Sequence, residues 1–248
     1  MIINKFTIDS FYLQRPVRVT MAMPYPIMDK NITVIWALHC SLKDENFFFD
    51  YLGIGRFVDL KKIVVVSPSI DDPWGGENGS IRDFLHNELK PWIHSTFGFS
   101  QDPSFNVVLG ISMGAYEALK WAIDCPNDFN KIALFSGVYD FNLYNPNEIK
   151  KDRTQFVLHK LIKPQIDKYH KKSDGTYSGS LFQEIEKLNN NLSVYIYCGN
   201  KDYLSHNQSL ELKRLLDINN VNAYMSLSEG GHDALYWSLA ITDFLSNL

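Results

Sequence analysis

Residues 106–123 read NVVLGISMGAYEALKWAI. An apolar run of strand length leads into the pattern G-x-S-x-G at Gly110, Ser112 and Gly114, and a helical pattern follows over residues 115–123. A serine between a strand and a helix lies on a tight turn, where small flanking glycines relieve crowding. The free N–H groups at the start of the helix favour negative charge beside that serine. The stretch therefore predicts a nucleophilic Ser112 at the carboxyl end of a strand.

Other apolar runs of strand length predict the rest of a sheet. They cover residues 32–38, 63–66, 132–135, 192–198 and 223–227. Continuous apolar runs are typical of strands buried on both faces, as in a parallel sheet. Helical patterns separate them over residues 80–97, 205–216 and 234–248, and Pro91 predicts a kink or break in the first. The alternation predicts an α/β fold with a mostly parallel central sheet flanked by helices.

The first two strands have a different character. Residues 6–13 and 17–23 alternate only partly between apolar and polar, and Pro24 and Pro26 follow them. We expect these residues to form an antiparallel hairpin at an edge of the sheet.

The interval from Asp140 to Asn191 contains no strand pattern. Between Glu148 and Lys172 it carries eight basic residues against three acidic ones. Insertions of this size commonly cover a functional site. We therefore expect a partly helical, cap-like insertion at about residues 140–191, within a single domain that spans residues 1–248. The lysines are expected on a solvated helix face, with the binding of an acidic substrate as the alternative.

Composition excludes several classes of protein. The chain has 248 residues, 45% of them hydrophobic, and Lys+Arg 24 against Asp+Glu 28 give a net charge of −4. This composition argues against disorder and against nucleic acid as the main partner. No apolar run is long enough for a membrane span, and the first residues do not resemble a secretory signal. Three scattered cysteines predict neither a disulfide framework nor a zinc cluster, so we expect a reducing, cytoplasmic setting and no metal.

A serine nucleophile needs a general base, and His232 is the first choice among seven histidines. It follows the last apolar run and the glycine pair Gly230-Gly231, and it precedes the final helix. The order serine, acid, histidine along the chain places the base last, as in many hydrolases. His39, which follows the predicted strand 32–38, is the alternative.

The orienting acid should follow a strand between the serine and the histidine. Asp202, in Cys198-Gly-Asn-Lys-Asp202, meets that condition. Asp140, one strand earlier, is the competitor. Most aspartates in such loops only form turns.

Two backbone N–H groups should form an oxyanion hole. Met113, directly after the nucleophile, should supply one, and we assign the other to Ser41 in the turn after residues 32–38. Cys40 in that turn is predicted to be a small buried filler; a cysteine nucleophile there is the less favoured alternative.

The quoted residues resemble the esterase D family of α/β-hydrolases, which includes tributyrin esterases, S-formylglutathione hydrolases, feruloyl esterases and mycolyltransferases. The resemblance covers most of the chain and rests on five stretches: residues 17–24, Leu38-His39, Gly-Ile-Ser-Met-Gly-Ala, Cys-Gly-Asn-Lys-Asp, and Gly-Gly-His-Asp followed by Tyr236-Trp237. The chain departs from the family at Cys40, where glycine is usual.

The resemblance implies an α/β-hydrolase fold and the roles of nucleophile, acid and base for Ser112, Asp202 and His232. It also implies that Trp74 borders the acyl pocket, although an ordinary packing role is the alternative. The expected activity is hydrolysis of a small, short-chain carboxylic ester or thioester through an acyl-serine intermediate, without a cofactor. An acyltransferase and a catalytically silent binding protein of the same fold are the alternatives, and the sequence predicts no oligomeric state.

Overall fold

The computed structural model of this chain describes residues 1–27, 29–70 and 80–248. Its strands are β1 (Ile2–Ser10), β2 (Arg15–Met23), β3 (Thr33–Leu38), β4 (Ile63–Pro68), β5 (Asn106–Ile111), β6 (Lys131–Phe135), β7 (Ser193–Gly199) and β8 (Asn222–Ser228). Its helices are α1 (Phe47–Asp50), α2 (Gly55–Lys61), α3 (Ser80–Asp83), α4 (Lys90–Phe97), α5 (Met113–Asp124), α6 (Pro146–Ile149), α7 (Arg153–His170), α8 (His206–Ile218) and α9 (Ala234–Ser246). None of the helices in these ranges is long and apolar enough to cross a membrane.

The described strands form one sheet in the order β1-β2-β4-β3-β5-β6-β7-β8. β1 is antiparallel to β2 and β2 is antiparallel to β4, whereas all neighbouring pairs from β4 to β8 are parallel. The expected hairpin at the sheet edge is therefore confirmed. The mostly parallel sheet confirms the predicted α/β-hydrolase fold.

Alternate residues of the inner strands point to two apolar layers. In β3, Val34, Trp36 and Leu38 belong to the layer beneath α3, α4 and α5, while Ile35 and Ala37 belong to the layer beneath α1, α2 and α9. Because both faces are covered, the strand needs apolar residues at every position. This burial explains the continuous apolar runs in the sequence.

The helix that contains Pro91 continues without the expected break. A π-helical stretch, Phe84–Leu89, joins α3 to α4 directly before the proline. Proline has no N–H to donate, and a wider turn is one way in which a helix accommodates the missing bond. The chain thus runs helically through residues 80–97.

The interval between β6 and β7 is partly helical. It contains α6, the long helix α7, and two 3₁₀ segments, Phe141–Leu143 and Leu181–Lys187. Ile162 and Ile166 of α7 pack into the layer that also holds α5. The interval is therefore anchored on the same face of the sheet as the helix that follows Ser112.

The parallel strands end at one edge of the sheet. Ser112 follows β5, Asp202 lies three residues after β7, and His232 lies four residues after β8. Because the carboxyl ends of parallel strands meet at the same edge, the fold brings these three distant residues together.

Candidate active site

Ser112 occupies a strained turn between β5 and α5. Its backbone angles are φ 54° and ψ −111°, which residues other than glycine rarely adopt. A Cβ added at Gly110 would lie 2.0 Å from the carbonyl oxygen of Gly114, and one added at Gly114 would lie 2.0 Å from that of Leu38. Both flanking positions therefore require glycine. The close approach of backbone segments is the physical reason for the G-x-S-x-G pattern in this chain.

The imidazole of His232 lies between Ser112 and Asp202. Its Nε2 is 3.0 Å from Ser112 Oγ, and its Nδ1 is 2.9 Å and 3.1 Å from the two carboxylate oxygens of Asp202. All three residues are buried. When Nδ1–H donates to the carboxylate, Nε2 is left to accept the serine proton. Such an arrangement can activate a serine hydroxyl as a nucleophile.

Asp202 is held in its ionised form. Burial raises the pKa of this carboxyl. The charge of His232 and hydrogen bonds from His232, Ser205 and Ser136 lower the pKa by more than burial raises it, so the pKa lies below its ordinary value. The backbone N–H groups of Leu204 and Ser205 also donate to Oδ1, at 3.2 Å and 3.1 Å. The negative charge therefore stays beside the imidazole.

The two alternative residues for acid and base are engaged elsewhere. Asp140 accepts hydrogen bonds from the backbone N–H of Asn142 and from Ser180 Oγ, both at 2.8 Å, and so caps a 3₁₀ turn. In His39, Nδ1 lies 2.8 Å from the carbonyl oxygen of Cys40, and Nε2 accepts from the N–H of Ile70 at 2.9 Å. Since both ring nitrogens of His39 contact backbone, neither is free for a serine proton.

Cys40 is buried in the turn after β3. Burial raises the pKa of its thiol to about 12. The thiol is therefore protonated near neutral pH, and a protonated thiol is a poor nucleophile. This geometry favours the filler role over the nucleophile role.

The two expected oxyanion donors border one small cavity. Ser41 and Met113 line a space of about 100 Å³ whose remaining walls among the described residues are His39, Leu42, Lys43, Ile70 and Gln165. Met113 is the first residue of α5, where the N–H has no partner within the helix. The helix dipole adds positive potential at the same point. Trp74 lies outside the described residues, so its place beside the acyl pocket stays a prediction.

Two supporting residues were missed by the sequence reasoning. The Trp237 ring packs edge-on against His232, with centroids 5.0 Å apart, and its Nε1 donates to Ser136 Oγ at 2.9 Å. Ser136 follows β6 with a positive φ of 51°. Its hydroxyl is one of the groups that lower the pKa of Asp202. The position of Ser136 after a neighbouring strand was the only signal in the sequence.

One group of potential metal ligands lies away from this site. His86, Cys125 and Asp128 place one ligand atom each within 4.8 Å of one another. The Asp128 carboxylate already contacts Lys90 Nζ at 2.9 Å and accepts from Trp121 Nε1 at 3.0 Å. Burial, reinforced by the charge of Asp128, raises the pKa of the Cys125 thiol to about 11. These contacts describe an ion-pair cluster that packs α5 against the helix 80–97.

Ser112, His232 and Asp202 are hydrogen-bonded in that order at the carboxyl edge of a mostly parallel sheet, which is the arrangement expected of a serine hydrolase of the α/β-hydrolase class. Within that class the chain belongs to the Esterase family, whose model matches residues 10–248. Family membership confirms the resemblance to the esterase D family. The description of this family as esterases agrees with the prediction of a serine ester hydrolase.

Two relatives illustrate the range of the family. An esterase from Mycobacterium tuberculosis is 27% identical over 135 residues, which cover 49% of this chain and 28% of that protein. The chain thus matches less than a third of that longer relative. An acetyl esterase from Caldicellulosiruptor saccharolyticus is 22% identical over 229 residues, which cover 86% of this chain and 82% of the relative.

Solved structures share the fold across the whole chain. A ferulic acid esterase has a TM-score of 0.77 at 15% identity, covering 98% of this chain and 95% of its own. An S-formylglutathione hydrolase from Staphylococcus aureus has a TM-score of 0.73 at 19% identity, covering 99% and 98%. At such identities, the likeness establishes the fold alone.

Proposed function

We propose that this chain hydrolyses a small carboxylic ester through an acyl-enzyme formed on Ser112. The continuous chain of hydrogen bonds from Ser112 through His232 to Asp202 carries the proposal. Ser112 Oγ attacks the carbonyl carbon as its proton passes to His232 Nε2, and the alcohol leaves with that proton. Water then attacks the acyl carbon and gives its proton to the same nitrogen. The acid is released, and the proton returns to Ser112.

Charge develops at two points during this reaction. Asp202 stabilises the imidazolium and fixes the ring with its proton on Nδ1. The backbone N–H groups of Met113 and Ser41 stabilise the oxyanion of the tetrahedral intermediate. Support for this role comes from the cavity that both residues line and from the helix N-terminus at Met113.

The acyl group should be short. The cavity beside Met113 measures about 100 Å³ among the described residues, which is well below the volumes of about 300–1,000 Å³ that drug-sized ligands occupy. Gln165 of α7 forms one of its walls, so the interval at about residues 140–191 acts as a cap. We assign acetyl esters as the first substrates, in keeping with the acetyl esterase relative, and Trp74 stays a proposed substrate-binding residue on the family resemblance alone. The three free cysteines fit a cytoplasmic setting.

An active-site probe tests the proposal directly. A fluorophosphonate should label the wild-type chain on the peptide that contains Ser112, and Ser112→Ala should lose both the label and the hydrolysis of p-nitrophenyl acetate. Ser67→Ala is a matched control, because Ser67 is also buried and its hydroxyl has no hydrogen-bond partner among the residues that the structure describes. Labelling that persists in Ser112→Ala, or wild-type turnover by that variant, would show that the nucleophile lies elsewhere.

A further inference from the structure

The side chain of Gln155 in α7 connects the interval between β6 and β7 to the loop that carries Asp202. Its Nε2 donates to the carbonyl oxygen of Lys201 at 2.8 Å, and its Oε1 accepts from the N–H of Tyr203 at 2.8 Å. These two backbone groups flank Asp202 on either side. Gln155 is only 4% exposed, so its amide is largely removed from water.

Gln155 also lies beside the loop that carries His232. A Cβ added at Gly231, the residue before His232, would lie 3.5 Å from Gln155 Nε2. The two loops are joined to each other by a hydrogen bond of 2.9 Å from the N–H of Lys201 to the carbonyl oxygen of Gly230. The amide of Gln155 therefore packs where the loop that carries Asp202 (the acid loop) meets the loop that carries His232.

We propose that Gln155 is a positioning residue, which holds Asp202 in register with His232 by binding the peptide groups on both sides of the acid. The inference rests on the proposed function, in which Asp202 orients the general base. It makes α7 a structural part of the catalytic apparatus as well as a wall of the substrate cavity. Gln155 and Gln165 are ten residues apart on this helix, or about 15 Å at 1.5 Å per residue.

The chemistry of the contact favours a glutamine. The loop presents one carbonyl acceptor and one N–H donor, and a neutral amide offers a donor and an acceptor on two separate atoms of one planar group. A glutamate carboxylate would still accept from Tyr203 but would repel the carbonyl of Lys201. A methionine would fill a similar volume and make neither bond.

The structure contains a matched control in Gln208 of α8. This residue is 1% exposed, and its Oε1 accepts from the N–H groups of Tyr139 and Asp140 at 2.6 Å and 2.8 Å. It is the same residue type with a similar double contact to backbone. Its two bonds, however, go to the first residues of the interval between β6 and β7, and neither goes to the loop that carries Asp202.

The test compares Gln155→Met, Gln155→Glu and Gln208→Met by steady-state kinetics on p-nitrophenyl acetate, with thermal unfolding measured in parallel. Both Gln155 variants should lose about 10- to 100-fold in kcat with KM changed less than about threefold, because a displacement near 1 Å at the reacting groups costs about that much. Gln208→Met should lower the unfolding temperature while keeping kcat within about threefold of wild type.

A spectroscopic readout separates positioning from general loosening. The proton between His232 Nδ1 and the Asp202 carboxylate should give a far-downfield proton NMR resonance. We expect this resonance to shift or broaden in both Gln155 variants and to stay in place in Gln208→Met. Gln155→Glu keeps the shape of the side chain and gives a second folded variant if Gln155→Met unfolds.

The outcomes distinguish the two proposals. The positioning role would be overturned if a folded Gln155 variant kept wild-type kcat. It would also be overturned if the Gln155 and Gln208 variants lost kcat and the resonance to the same extent. Ser112→Ala and Asp202→Asn are measured alongside. If those two variants retain wild-type activity, the proposed function itself is wrong; if they lose it and the Gln155 variants do not, only the positioning role fails.

Discussion

Gly114→Ala should impair catalysis far more than it impairs folding. In the present structure, the added Cβ would lie 2.0 Å from the carbonyl oxygen of Leu38, 2.5 Å from its carbonyl carbon and 2.7 Å from the carbonyl oxygen of His39. All three atoms belong to the backbone, so no side chain can rotate to relieve the contact. Since contacts of a Cβ below 3.0 Å are essentially never observed, the start of α5 must move away from the end of β3 by about 1 Å or more.

This displacement separates Met113 from the turn that contains Ser41. A misplacement of about 1 Å in a catalytic arrangement can cost about 10²-fold in rate, and we expect a loss of that order in kcat. Overpacking typically costs about 1–3 kcal/mol, but replacing glycine by alanine inside a helix returns about 1 kcal/mol. The free energy of unfolding should therefore fall by no more than about 2 kcal/mol.

The assay is kcat for p-nitrophenyl acetate together with denaturant unfolding, and Gly55→Ala provides the control. Gly55 begins α2, and a Cβ there would approach the flexible end of Met1, at 3.2 Å, and make an ordinary contact with the Phe49 ring at 3.9 Å. Gly55→Ala should keep wild-type kcat. If Gly114→Ala also keeps wild-type kcat, the requirement for glycine beside the nucleophile is refuted.

Three further predictions concern the acid and the acyl pocket. Asp202→Asn should lower kcat by several orders of magnitude, about 10⁴-fold where the imidazole tautomer is lost. Asp140→Asn should only loosen the 3₁₀ turn that Asp140 caps. A larger loss of kcat in Asp140→Asn than in Asp202→Asn would make Asp140 the acid. Folding lowers the pKa of Asp202, so the ionised carboxylate stabilises the folded chain at higher pH, and this contribution is lost as the pH falls through the folded pKa. Below about pH 4 the free energy of unfolding of the wild type should therefore fall more steeply with pH than that of Asp202→Asn. Equal dependence on pH in the two proteins, measured by urea unfolding, would contradict this. In a series of p-nitrophenyl esters, kcat/KM should stop rising beyond about four to six acyl carbons, and a steady climb from butyrate to laurate would reveal a deeper channel.

The sequence predicted those parts of the molecule whose signal is local. Each inner strand is covered on both faces, so its burial appears directly as an apolar run such as residues 106–111. The motif around Ser112 is also a local pattern, although only Gly110 is required by a contact within the motif; Gly114 is required by the backbone of Leu38 and His39. Asp202 and His232 could be chosen because each follows a strand in a parallel sheet, and such strands end at one edge.

The helix 80–97 shows where a local rule is too coarse. Proline predicts a kink or a break; the structure shows no break, and it contains the π-helical stretch Phe84–Leu89 shortly before Pro91. The cost of the missing hydrogen bond is the same in either case. Packing of Phe84, Leu85 and Leu89 into the core decides that the helix continues, and that packing involves residues far away in sequence.

Gln155 gives no local signal of a contact with the loop that carries Asp202. It is a polar residue in the first turn of α7, beside charged and exposed residues, and this position in a helix normally faces solvent. Its partners lie 46 and 48 residues further along the chain and are backbone groups, which leave no trace in residue type. The sequence therefore characterises the predicted cap only by its length, its lack of a strand pattern and its many lysines. If α7 holds the acid loop, exchanging the whole interval for that of a relative should change kcat as well as substrate range, unless the new helix brings a neutral amide to the same position.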